Sequence, residues 1–334
     1  MAIFCFSSSG ELDVVLPLLS IWGIRDYRLV TFKKQILEKI ESDRFYSWVI
    51  SGRLDDRAIG KLSASKIVRW LRFIANSLAV FWHYRRHDHF LLENGSSGRE
   101  KNVLILLLVL SGRGPRILFY PHGHAVTPAG AYAPARWPAI TRFSARFGAR
   151  ILRLDGLAPN RRFLAARYPI LVPEWMRFVR QNVPQIYHDH VVILSRDTHP
   201  QYLLEGNRSR MLSDTVAVLS RYFPASRIVL RAHPREFFHS DRLIVDGKAV
   251  EVTYENTYSV VRGARLAVSF WTSAFFQCMA MDVPVIEYHI PHDRFHAHYP
   301  NGSLTAAFIP NCRTREDLAA QVEALVGRGP SPAA

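Results

Sequence analysis

The sequence predicts an α/β protein made of two doubly wound domains. Three observations predict it. First, residues 226–288 read as strand, polar loop, helix, strand. The apolar run Ile228-Val229-Leu230 ends in Arg231-Ala232-His233-Pro234-Arg235-Glu236, and the run 264–270 ends in Trp271-Thr272-Ser273. A helical segment over 274–281 and a last strand over 283–288 complete the unit, the grammar of a parallel sheet with helices on both faces. Second, the N-terminus repeats the pattern: apolar residues 2–6, then Ser7-Ser8-Ser9-Gly10, then a mostly apolar segment over 11–22. Third, 334 residues suit two domains of ordinary size.

In chain order, the segment 11–22 is helical, with Pro17 set to kink or shorten it. Residues 27–32 suit a strand and 33–44 a helix. Residues 63–90 read as one long helix with apolar Ile67, Trp70, Leu71, Ile74, Leu78, Val80 and Phe81, and basic Lys66, Arg69, Arg72, Arg85 and Arg86. That pattern fits either a helix packed on a core or a basic amphipathic helix lying on a membrane. A turn-rich loop follows at 93–98. The apolar run 103–110 is a buried helix or strand, too short to cross a bilayer. Residues 116–120 form a strand ending in Pro121-His122-Gly123-His124, and 150–154 another, before Asp155-Gly156.

The stretch 168–185, with Pro169, Pro173 and Pro184, reads as the crossing between domains. The expected domains are therefore 1–172 and 173–326, with a frayed tail over 327–334. The second domain opens with a strand over 191–194 and its loop over 195–199. A helix over 211–222, a short strand over 250–252, the start of a helix at 258–262 and an amphipathic helix over 316–326 fill in the rest. No internal repeat or low-complexity tract is present.

The chain is 49% hydrophobic and 21% charged, as a protein with a real core should be. Its three cysteines suggest neither a disulfide framework nor a zinc site, because no Cys-x-x-Cys pair occurs. Cys5 and Cys278 fall in apolar runs and are expected in the core. A reducing, cytoplasmic setting follows, and the acidic Glu11 and Asp13 argue against a signal peptide. The net charge of +15 is uneven. Residues 1–176 hold 26 Lys and Arg against 13 Asp and Glu, while residues 177–334 hold 17 against 15. The first half suits an anionic partner: a membrane surface, a lipid-linked phosphate or an acidic polymer. Aromatics are not interleaved regularly with the basic residues, so nucleic acid is not the expected partner.

Ligands of doubly wound sheets bind at the carboxyl ends of strands. His233 and Ser273 lie just past two such ends. Thr272 is placed to cap the following helix, whose free N–H groups and positive dipole end suit a phosphate. His233 can donate to a phosphate oxygen or act as an acid near neutral pH. Arg231 and Arg235 flank it with permanent charge, and Arg196 sits in the loop after 191–194. Glu287, near the end of the last strand, reads either as a ribose-hydroxyl acceptor or as a solvated edge residue. In the first domain, His122 is the candidate general base, with His124 an equal rival. The Ser/Gly loop at 7–10 is open to two readings, an anion-binding turn or a plain connection. His289, His292, His296 and His298 cluster in sequence. Pro291 interrupts them and no cysteine joins them, so no metal site is expected.

Two stretches carry a resemblance, LRAHPRE and then ARLAVSFWTSAFFQCMAMDVPVIEY. Together they resemble the C-terminal domain of GT-B glycosyltransferases, in particular enzymes that build bacterial surface polymers. These include the CDP-glycerol glycerophosphotransferases and the capsule sialyl- and Kdo-transferases with a His-Pro motif. The resemblance implies a GT-B fold of two Rossmann-like domains facing a cleft. It implies a C-terminal domain that holds a nucleotide-activated donor through His233, Thr272 and Ser273, with no further cofactor, and an N-terminal domain that binds a glycan or lipid-linked acceptor. The His122-Gly123 pair matches the family's His-Gly loop. The acidic-acidic-Gly motif of the polysialyltransferases is met only in part, by Asp155-Gly156 after Leu154. The implied activity is metal-independent transfer in capsule, teichoic acid or lipopolysaccharide assembly, at the inner face of the cell membrane. Two alternatives stand beside it: a UDP-N-acetylglucosamine 2-epimerase-like enzyme on the same fold, and a non-catalytic module that binds anionic glycan or lipid.

Overall fold

The computed structural model describes residues 2–6, 11–21, 25–31, 34–55, 66–86, 89–94, 99–121, 139–151, 169–200, 203–233, 236–298 and 308–326. The chain forms two compact units, one running to Trp175 and the other from Met176.

The first unit is organised around strand β1 (Ala2–Phe6), whose five residues are all buried. Beside it lie β2 (Tyr27–Thr31), β3 (Leu54–Asp55), β4 (His89–Asn94), β5 (Ile117–Pro121) and β6 (Arg150–Ile151). Their spatial order is β3-β2-β1-β4-β5-β6, and every pairing is parallel. Strands buried on both faces are apolar along their whole length, which is why residues 2–6 show no alternation. Pro17 is accommodated inside a helix, Leu12–Ile21.

The long helix read over 63–90 is corrected. A helix spans Lys66–Tyr84, and a separate strand, β4, follows it. Phe90, Leu91 and Leu92 are almost fully buried in β4, between β1 and β5. Parallel neighbours on both sides satisfy the backbone there, so pairing overrides the local helical pattern. The 103–110 run is part of a helix, Arg99–Leu110, which puts Leu104, Ile105, Leu108 and Val109 into the core. The segment read as one helix over 33–44 breaks at Asp43. Its carboxylate accepts from the N–H groups of Phe45 and Tyr46, each at 3.0 Å, and caps a second helix, Arg44–Val49.

The second unit holds β7 (His190–Leu194), β8 (Ile228–Arg231), β9 (Arg242–Val245), β10 (Lys248–Thr253), β11 (Ala264–Ser269), β12 (Val285–Tyr288) and β13 (Asn311–Cys312). The order is β13-β12-β11-β7-β8-β10-β9, with only β9 antiparallel. The β9–β10 hairpin turns on Asp246 (φ 47°) and Gly247 (φ 78°), a two-residue turn that needs left-handed backbone at both positions. A single strand was expected there. Without the hairpin edge, each sheet has the doubly wound order 3-2-1-4-5-6. Among the described residues no helix is long and apolar enough to cross a membrane. All three cysteines are buried.

Candidate functional site

In a 3-2-1-4-5-6 sheet the chain leaves the two central strands in opposite directions, and a crevice opens beyond their carboxyl ends. In the second unit those strands are β7 and β11. Ser269 is in register with Leu194, and the Phe270 N–H donates to the Leu194 carbonyl at 3.0 Å. On the other side, the Ser195 N–H donates to the Arg231 carbonyl at 3.0 Å. The loops after β7, β8 and β11 therefore start side by side.

Glu236 ties two of these loops together. Its buried carboxylate accepts from the Ser195 hydroxyl at 2.8 Å, the His233 N–H at 2.6 Å and the Arg208 guanidinium. Its own N–H donates to the His233 carbonyl at 2.9 Å, closing a tight turn. Burial works against the charge on Arg208, but Glu205 and Glu236 outweigh it and hold the guanidinium above its ordinary pKa. Within this frame, His233 Nδ1 lies 3.4 Å from Asp197 Oδ1. The carboxylate engages Nδ1 and orients the ring, so an incoming ligand would be met by Nε2.

The loop after β11 is strained. Trp271 is a buried aromatic residue at φ 52°, in the left-handed region that costs a side chain of its size about 1–3 kcal/mol. The Arg196 guanidinium stacks over its ring at 4.5 Å and donates to its carbonyl. His289 stacks at 5.6 Å, and Phe295 meets the ring edge-on at 5.1 Å. Thr272 is buried, and its N–H meets the Ser269 hydroxyl at 3.4 Å. The next helix, Phe275–Ala280, has only six residues. Its N-cap is Ala274, which offers no side-chain cap, so Thr272 is not the cap that the sequence suggested. The Thr272 hydroxyl instead accepts from the Ala274 N–H at 3.4 Å. Ser273 stands half-buried at the turn.

No protein-family model matches the sequence, and no curated protein matches it significantly. Solved structures do match. A Listeria monocytogenes protein assigned as a UDP-N-acetylglucosamine 2-epimerase superposes over 98% of this chain and 87% of its own, with a TM-score of 0.58 at 12% identity. The UDP-GlcNAc 2-epimerase of Methanocaldococcus jannaschii does so over 99% and 93%, with a TM-score of 0.52 at 9% identity. The chain has the GT-B fold. An E. coli heptosyltransferase also aligns, at a TM-score of 0.46 and 15% identity, too loosely to add to that.

The GT-B fold brings His233, Arg196, Thr272 and Ser273 to one sheet edge. It does so because β7, β8 and β11 are spatial neighbours although far apart in sequence. Arg231 reaches the same edge but is engaged by backbone, donating to the Ala232 carbonyl at 2.8 Å and the Glu255 carbonyl at 3.3 Å. Glu287 is almost fully buried in β12, in register with Ser269 and flanked by β13. That rules out the solvated-edge reading. His289 is a buried aromatic packing partner, and no group of three or more His, Cys, Asp or Glu among the described residues is arranged to hold a metal ion. Pro234, Arg235, His122, His124, Asp155 and the loop 7–10 lie outside the described residues.

Sequence reasoning missed Asp197 and Glu236. Both signals were visible: Asp197 sits in a polar loop directly after a strand, and Glu236 is three residues beyond His233, the spacing of a turn that folds back on itself. It also passed over a polar cluster in the first unit. Glu11 is buried and accepts from the Tyr120 hydroxyl at 2.8 Å, and Lys101 is buried as well. Burial pushes the neighbouring Cys5 thiol up to about 12, with Lys101 and Glu11 acting on it in opposite senses.

Proposed function

We propose that the chain is a sugar-nucleotide enzyme. It moves a sugar or polyol phosphate from a nucleotide-activated donor to an anionic or lipid-linked surface glycan. The observation that carries this reading is the His233–Asp197 pair, held by Glu236 at the switch point of the second sheet. In this reading His233 Nε2 donates to a donor phosphate oxygen, Thr272 and Ser273 line the phosphates, and Glu287 serves the ribose side. Arg231 or Arg196 supplies positive charge to the departing nucleotide, a monophosphate or diphosphate according to the donor. Fixed donors and cations of this kind can stabilise a leaving phosphate without a metal ion. The acceptor hydroxyl attacks the donor as the bond to the phosphate breaks, and its proton passes to His122, with His124 and Asp155 the other candidates. The basic first half suits an anionic acceptor at the inner face of the membrane, as capsule, teichoic acid or lipopolysaccharide assembly requires.

The second reading is a 2-epimerase, favoured by the names of neighbours whose TM-scores exceed 0.5. The two readings separate by product, since an epimerase needs no acceptor. The test is thermal melting with CMP, CDP, UDP and GDP, then turnover of the matching donor with and without acceptor, before and after chelation. One nucleotide should raise the melting temperature, and chelated enzyme should transfer only when acceptor is present. Turnover to an epimer alone selects the second reading. Loss of activity restored by magnesium or manganese overturns metal independence. No shift with any nucleotide leaves a non-catalytic binding module. In a folded protein His122→Ala should abolish transfer; if only His124→Ala does, the base is His124.

A further inference from the structure

The helix Lys66–Tyr84 is inside out for a surface helix. Its buried positions are Ser77, Val80 and Tyr84, which face the first unit's core. Its outward face carries Ile67, Leu71, Ala75, Leu78 and Trp82, which recur at intervals of three and four and so form one continuous stripe. Ile67 is 73% exposed, Leu71 61% and Trp82 68%. A polar outward face is the rule, and a contiguous apolar patch in this position marks a binding surface. The helix it packs on, Arg99–Leu110, adds exposed Leu106 and Leu110.

Charge identifies the occupant. Residues 66–86 contain five basic side chains and no acidic one. At the C-terminal end, the Arg85 guanidinium stacks on the exposed Trp82 ring at 3.7 Å, and Arg113 donates to the Arg85 carbonyl at 2.6 Å. Arg86 is exposed next to them. An apolar face with Trp, on a segment whose Lys and Arg are matched by no Asp or Glu and whose end carries Arg85 and Arg86, meets the requirements of a helix lying in the headgroup region of an anionic bilayer. A second copy of the chain would bring the same cations against one another.

We propose that this face docks the first unit on an anionic lipid bilayer. The inference does not depend on the nucleotide reading, which concerns the other unit. The test is flotation of the full chain with vesicles of phosphatidylcholine alone and of phosphatidylcholine and phosphatidylglycerol in equal parts. Wild type should float with the anionic vesicles, stay behind with the neutral ones, and be released by salt. Because the altered side chains are exposed, Leu71→Ser with Trp82→Ser should keep the wild-type melting temperature and bind anionic vesicles at least ~10-fold more weakly, the minimum expected from removing two interfacial apolar side chains. Arg86→Glu should weaken binding as well, which gives a second handle if the double variant does not fold. Wild type that ignores anionic vesicles at low salt overturns the proposal. So do variants that float like wild type, or a wild-type dimer that the double variant converts to monomer.

Discussion

The two sheets of this chain share a strand order and differ in what their described residues offer. In the second, the edge is a framework of charged side chains. Glu236 gathers Ser195, His233 and Arg208, Asp197 orients the His233 ring, and Arg196 clamps a strained Trp271. In the first, the described polar groups near that edge, Glu11, Lys101 and Tyr120, are sunk in the core, while Ile67, Leu71 and Trp82 lie outside on a helix. Among the described residues, the second unit therefore presents oriented hydrogen-bonding groups at its strand ends, and the first an apolar face on the helix Lys66–Tyr84. Doubly wound order decides where a site can lie; the residues at the strand ends decide which chemistry it offers.

The comparison breaks most visibly at Glu236. Glu236→Ala leaves the Arg208 charge half-buried with one partner fewer, and should cost about 3 kcal/mol in a denaturant titration as well as nucleotide binding. The first-unit counterpart, Tyr120→Phe, removes one hydrogen bond to a buried acid. It should cost about 1 kcal/mol and leave nucleotide affinity unchanged. Equal losses of affinity in the two variants would show that the edges are not functionally distinct.

A smaller effect is expected at His233. His233→Ala should weaken nucleotide binding at least ~10-fold, the contribution of one charge-assisted hydrogen bond. Asp197→Asn should fall between that variant and wild type. Calorimetric titration with the nucleotide found by melting reads both, and unchanged affinity in His233→Ala would remove it from the site.

The smallest effect is a pH dependence confined to the second sheet. His190 opens β7, where the first sheet has Ala2. Its pKa is held below 6.5, chiefly by burial and further by the His188 charge, against the opposing pull of its 2.7 Å bond to the Val260 carbonyl and of Glu251. The folded chain keeps His190 neutral, while the unfolded chain takes up a proton as the pH drops through 6.5. The unfolded state then binds more protons, so this contribution is complete above 6.5 and is lost on acidification. Melting temperatures across that window should fall less steeply for His190→Gln, which can still donate to Val260. Parallel slopes for the two proteins would exclude His190 as the cause.

Much of this architecture was legible in the residues alone. Continuous apolar runs such as Ile228-Val229-Leu230 have to be buried on both faces, and the polar stretches that end them have to lie at strand ends, so the α/β class and the positions of His233 and Ser273 followed from local pattern. Local pattern failed where pairing outweighed propensity. Residues 89–90 ended a helical run and 93–94 opened a turn-rich loop, yet 89–94 became a strand because β1 and β5 offered partners on both sides, and the β9–β10 hairpin depends on the backbone of Asp246-Gly247. Only the tertiary structure decided that residues 195–197 stand beside 233 and 270–273, that Glu287 is buried, and that the helix at 66–84 turns its apolar stripe outward. The physical reason is that periodicity records how a segment divides its faces, whereas the neighbour each face meets is set by sheet order, which joins segments far apart in sequence.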